Sequence, residues 1–73
     1  MARVLVCEPV EETRILIEHL VQRAGHEILT VESFHEVDLV FYEPESVAGL
    51  ALARRVQGRN PDVRLVAVAA QPP

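Results

Sequence analysis

Four short apolar runs divide the chain, and two segments in which apolar positions recur every three or four residues lie between them. The runs are Val4-Leu5-Val6-Cys7, then Ile28-Leu29 with Val31, then Leu39-Val40-Phe41-Tyr42, then Val63 to Ala70 broken only by Arg64. Runs that are continuous rather than alternating fit strands of a parallel sheet covered on both faces. In the first intervening segment Leu16, Ile17, Leu20, Val21 and Ala24 share one helical face, with Arg14, Glu18, Gln22 and Arg23 on the other. Glu11 and Glu12 at its start complement the helix dipole and Gly25 supplies a stop. This pattern buries the stripe from Leu16 to Ala24 and leaves Ile15 off it, partly exposed. In the second segment Glu45-Ser46 opens a helix with Gly49, Leu52, Ala53 and Val56 on one face and Arg54, Arg55 and Arg59 on the other, and Gly58 with Asn60-Pro61 closes it.

The third run ends at Glu43-Pro44. Proline stops a strand ladder by removing a donor, and sites in open α/β sheets form just beyond the carboxyl ends of such strands. Glu43 therefore stands where chemistry is expected. The link before this strand, Glu32 to Val37, is short for a parallel crossover, which normally takes a dozen or more residues and contains a helix. Its six residues span about 20 Å when extended, so the expected helix is missing or reduced to one turn around Ser33 to Glu36. The order is strand, helix, strand, short link, strand, helix, strand.

Composition narrows the function. A chain of 73 residues, 49% hydrophobic and 25% charged, is an ordinary globular domain rather than a disordered segment. At this size only about 60% of the unfolded surface is buried, so support from a partner is expected. No apolar stretch approaches the roughly 20 residues of a membrane helix, and Met1-Ala2-Arg3 leads straight into a strand, so the expected location is cytoplasmic. The charge is −4 and the seven basic residues, all arginine, are scattered, which argues against nucleic acid as a partner. Without lysine there is no amine nucleophile. Cys7 is the single cysteine, so no internal disulfide forms; the sequence leaves open a redox or metal thiol, against the simpler reading of a small buried hydrophobe. His19, His26 and His35 have no spacing that points to a metal site. Arg54, Arg55 and Arg59 either bind an anion or an acidic partner or form a solvated helix face.

These residues resemble the receiver domain of bacterial response regulators, over nearly the whole chain. Val4-Leu5-Val6-Cys7-Glu8-Pro9 is similar to the family's first strand and its acidic pair. Asp38-Leu39-Val40-Phe41-Tyr42-Glu43 is similar to the strand that ends in the phosphoacceptor aspartate. Gly49 to Val56 resembles the third helix, Asn60-Pro61-Asp62 the turn after it, and Leu65 to Ala70 the fourth strand. The resemblance implies an α/β, flavodoxin-like sheet of four parallel strands in the order 2-1-3-4, truncated, with one helix on each face. The domain is expected over residues 1–70, with 71–73 as a tail or the start of a linker.

The departures from the family pattern carry the functional expectation. A working receiver binds Mg²⁺ through its acidic pair and phosphoacceptor, and here the pair is Glu8 and Pro9, so one carboxylate is lost. Glu43 stands at the phosphoacceptor position, and its extra methylene displaces the nucleophilic oxygen by about 1.5 Å, where about 1 Å can cost 100-fold in rate. The switch hydroxyl is replaced by Ala69, and the family's lysine lies on a fifth strand that the resemblance does not reach. Phosphoryl transfer depends on positioning and charge stabilisation by these groups. The expectation is a pseudo-receiver, not an enzyme, with no cofactor and no metal. It is a phosphorylation-independent module for protein association, with a homodimer as the first partner to look for. Leu65, Val66 and Val68 on an uncovered final strand, Phe34 on the bare crossover and Ile15 on the first helix form the expected interface. The alternative is a weakly active phosphoacceptor or a small-ligand site built on Glu43 and Glu8. Glu43 as a mimic of phosphorylated aspartate stands against Glu43 as a solvated carboxylate, since a phosphoryl group brings about two charges and three acceptor oxygens.

Overall fold

The computed structural model describes residues 1–68. Its elements are β1 (Arg3–Cys7), α1 (Glu11–Arg23), β2 (Glu27–Ile28), a 3-10 segment (Val31–Glu36), β3 (Leu39–Tyr42), α2 (Val47–Arg59) and β4 (Arg64–Ala67). The four strands form one parallel sheet in the order β2-β1-β3-β4. The truncated flavodoxin-like architecture expected from the resemblance is therefore present, with α1 and α2 on opposite faces.

Local chemistry explains the boundaries. Gly25 takes φ +92, a left-handed conformation that closes the α1 end at little steric cost. Ser46 caps α2, its Oγ accepting the Gly49 N–H at 3.0 Å. Strand β2 is shorter than the apolar run that contains it. Beyond its paired residues the Leu29 N–H still donates to the Val4 carbonyl, and the chain then turns into the 3-10 segment. This segment is two tight turns broken at Ser33 (φ −104, ψ 35), the reduced crossover that the short link requires. Asn60 holds it in place: its Nδ2 donates to the Val37 carbonyl at 2.6 Å and to the Phe34 carbonyl at 3.4 Å.

Alternation along the strands sorts the core into two unequal layers. Leu5, Cys7 and Val40 point toward α2 and join Phe34, Val37, Ala53, Val56 and Val63 in a closed cluster. On the other face Val4, Val6 and Val21 are buried, with Ile17, Ile28, Leu39 and Phe41 packed against them but half-exposed. Helix α1 lies over β1 and β2. An α-helix is about 10 Å wide and strands are about 4.8 Å apart, so one helix covers two strands of four.

Two expectations are corrected here. Leu16 and Leu20, assigned to the buried stripe of α1, are 58% and 57% exposed, and Ala24 is exposed as well. The helix turns only Ile17 and Val21 toward the sheet, and Leu16 and Leu20 join Ile15 (54%) on the surface. Phe34, assigned to an exposed crossover, is buried. The 3-10 segment folds its ring inward, under the guanidinium groups of Arg55 and Arg59 at 5.8 and 5.9 Å from the ring centre.

Candidate functional site

The carboxyl ends of β1 and β3 lie side by side, since Cys7 pairs with Tyr42. This brings Glu8-Pro9 and Glu43-Pro44 to the same edge of the sheet. The N-terminus of α2 closes against them: an added Cβ on Gly49 would lie 2.8 Å from the Cys7 carbonyl oxygen. Only a residue without a side chain lets the helix approach the strand end so closely.

Each carboxylate at this edge is engaged by its own loop. Glu8 is buried, and its Oε1 accepts the Val10 N–H at 3.1 Å. Arg14 Nη1 donates to the Glu8 main-chain carbonyl, at 3.4 Å. Glu43 Oε1 accepts the Glu45 N–H at 3.1 Å, which ties the turn into α2. A cleft of about 390 Å³ opens beside Glu8, between Arg14 and Glu18 of α1 and Ala48, Gly49 and Leu52 near the start of α2. Glu43 is not one of the residues that line it.

The donor set does not fit the magnesium ion of a working receiver. Pro9 offers no side-chain oxygen, and the Glu8 carboxylate already receives a main-chain N–H. Among the described residues no three His, Cys, Asp or Glu side chains are grouped closely enough to hold a metal ion. A hard cation takes six or more oxygens, and two carboxylates leave most of its shell to water. Ala69, the expected switch position, lies outside the described residues, as do Ala70 and the proposed tail.

Other candidates resolve simply. Cys7 is buried, and loss of solvation pushes its thiol up to about 11, so the thiolate required of a nucleophile or metal ligand is disfavoured. His26 Nδ1 accepts the Ala2 N–H at 2.9 Å, a structural tie, while His19 and His35 are exposed. The sequence reading missed that Arg55 and Arg59 stack on Phe34, because that pairing depends on where the crossover lands rather than on any spacing along the chain. Leu65, Val66 and Val68 are half-exposed on or just after β4, which is an edge of the sheet.

No protein-family model and no curated protein matches the chain. Solved structures do. The response regulator TrrA from Thermotoga maritima, determined in complex with Mg²⁺-BeF, superposes with a TM-score of 0.70 and 27% identity, over 97% of this chain and 71% of that one. This is a receiver fold. The same regulator in complex with the histidine kinase ThkA gives a TM-score of 0.69 at 24% identity, over all of this chain and 72% of that one. The sheet order, parallel strands and two opposed helices are those of a shortened receiver fold. Among the described residues no helix is long and apolar enough to cross a membrane.

Proposed function

We propose that this chain is a phosphorylation-independent pseudo-receiver that works by protein association, with a second copy of itself as its first partner. The observation that carries the proposal is the state of the strand ends. Pro9 stands where a second acidic ligand is needed, and the Glu8 carboxylate is held by its own loop. Phosphoryl transfer to a carboxylate has little covalent chemistry for the protein to perform and rests on metal and charge placement, and these residues supply neither. TrrA, the regulator with the similar fold, forms a complex with a histidine kinase, which favours a protein partner here too.

Self-association is supported by what the sheet leaves uncovered. On α1, Leu16 and Leu20 are more than half exposed, and on the same side of the sheet Leu39 and Phe41, with Val66 paired to Phe41, are only half-buried. Most oligomers are two-fold dimers joined by one self-complementary patch, and this patch includes the β4 edge. Light scattering across a wide concentration range, alongside mass spectrometry after incubation with acetyl phosphate and Mg²⁺, tests both parts. A dimer with no added phosphoryl mass is the expected result. Stoichiometric phosphorylation at Glu43 would instead establish the active-phosphoacceptor reading, and a monomer at all concentrations would remove self-association.

A further inference from the structure

The reduced crossover leaves an open groove of about 850 Å³ between the 3-10 segment and α2. Leu52, Arg55 and Arg59 line it from α2, and Glu32, Phe34 and His35 from the opposite side. The three α2 residues fall on one stripe, since neighbours three and four apart share a helical face. Both guanidinium groups lie over the Phe34 ring. Stacking there fixes their planes while leaving the N–H edges available. Among the described residues the one ion pair is Arg3 with Asp38, so neither Arg55 nor Arg59 pairs with a carboxylate of those residues. Two like charges one helical turn apart repel, and a chain of net charge −4 keeps them together on one wall.

We propose that this groove receives an acidic peptide segment of a partner protein, with carboxylates on Arg55 and Arg59 and an apolar side chain against Leu52. The spacing favours this ligand. Residues four apart on a helix rise about 6 Å, and alternate residues of an extended strand are separated by about 6.6 Å. A peptide with acidic residues at alternate positions thus presents carboxylates at the spacing of the two forks. The ring of Phe34 is already covered by the arginines, so a nucleobase has no aromatic face to stack on. Glu32 at the rim is exposed, and salt screens its repulsion of any carboxylate held more than about 8 Å away. The groove is separate from the α1 face used in self-association, so either proposal can fail alone.

The test uses a fluorescein-labelled peptide of sequence Gly-Glu-Leu-Glu-Leu-Glu-Gly, its all-Gln counterpart, and inorganic phosphate, titrated into the full chain at about 0.15 M salt. Anisotropy reports affinity, and amide shifts in a two-dimensional NMR spectrum report location. Expected are saturable binding of the Glu peptide, shifts confined to residues 32–36 and 52–59, and none with the Gln peptide. Arg55→Gln and Arg59→Gln should each weaken binding about tenfold, as a charge-assisted hydrogen bond of about 1.5 kcal/mol requires. Arg54→Gln, equal in charge and off the groove, should change it less than twofold. Lysine variants at 55 and 59, which keep charge and stem, separate loss of the fork from loss of packing over Phe34. Equal weakening by Arg54→Gln, shifts that map elsewhere, phosphate saturating the same amides as tightly as the peptide, or no saturation at millimolar peptide would each overturn the proposal.

Discussion

Two glycines of α2 should respond to the same substitution with opposite sign. Gly49 and Gly58 both lie within Val47–Arg59, and replacing a helical glycine by alanine intrinsically stabilises by about 0.5–1 kcal/mol. At Gly58 nothing lies within 4 Å of the added Cβ, so Gly58→Ala keeps most of that gain, about 0.5 kcal/mol near a helix end. At Gly49 the Cβ meets the Cys7 carbonyl oxygen at 2.8 Å and the Ser46 Oγ at 3.3 Å. Ordinary contact begins near 3.4 Å, so helix and strand must separate by about half an ångström, at the cap that Ser46 provides. Overpacking of this kind costs about 1–3 kcal/mol, so Gly49→Ala should be net destabilising by about 1–2 kcal/mol. The whole domain has only about 4–11 kcal/mol of stability at this length. At ~4–8 °C per kcal/mol, thermal melts followed by circular dichroism should fall by about 4–15 °C for Gly49→Ala and rise by about 2–4 °C for Gly58→Ala, at one fixed protein concentration. A Gly49→Ala chain as stable as the parent would refute the close approach of α2 to the β1 end, and with it the placement of the site.

Asn60→Ala should lower stability by about 1 kcal/mol in urea denaturation, because it removes the side-chain donor to the part-buried Val37 carbonyl, while the Phe34 carbonyl keeps the Val37 N–H. Cys7 should resist thiol reagents until the chain unfolds. Its folded thiol keeps its proton to about 11 against an ordinary 9.0, so stability is fully present below 9.0 and declines as pH rises toward about 11, and Cys7→Ser should flatten that decline in an alkaline titration. Asp38→Asn should change the melting temperature little, since the Arg3–Asp38 pair is about half exposed on both sides and such pairs contribute about 0–1 kcal/mol. The double substitution Leu16→Glu and Leu20→Glu should leave the far-ultraviolet spectrum unchanged while lowering the solution mass toward that of a monomer.

The strands and both helices were legible because the sequence carries them locally, and the strand order was what the resemblance to the receiver family implied. Uninterrupted runs such as Val4-Leu5-Val6-Cys7, short and ended by proline, fit a strand covered on both sides, and the short Glu32–Val37 link leaves no room for a full helix. That Pro9 stands in place of an acidic ligand is what the same resemblance implies. Side-chain burial on α1 was not legible. Leu16, Ile17, Leu20 and Val21 share one helical stripe, and periodicity cannot say how much of that stripe the opposite layer is wide enough to cover. The stacking of Arg55 and Arg59 on Phe34 was hidden for a related reason. The arginines look like a solvated face until the crossover brings an aromatic ring beneath them.

The width of the layers joins these observations into one account. The α2 face is closed because the 3-10 segment, pinned by Asn60, adds Phe34 and Val37 beside the helix. Among the described residues the α1 face has no such supplement. Strands β1 and β2 lie under the helix, and Leu39, Phe41 and Val66 continue the apolar surface past it. Leu16 and Leu20 stay exposed on the flank of the helix, and among the described residues no further layer covers them. A second layer laid there would bury all of them at once. Removing apolar area from water contributes about 25 cal/mol per Å², so about 300 Å² on each partner gives on the order of 15 kcal/mol, and the surplus over the roughly 4–15 kcal/mol cost of association stabilises the folded chain. Folding and association of this chain should therefore be coupled, and its melting temperature should rise with protein concentration.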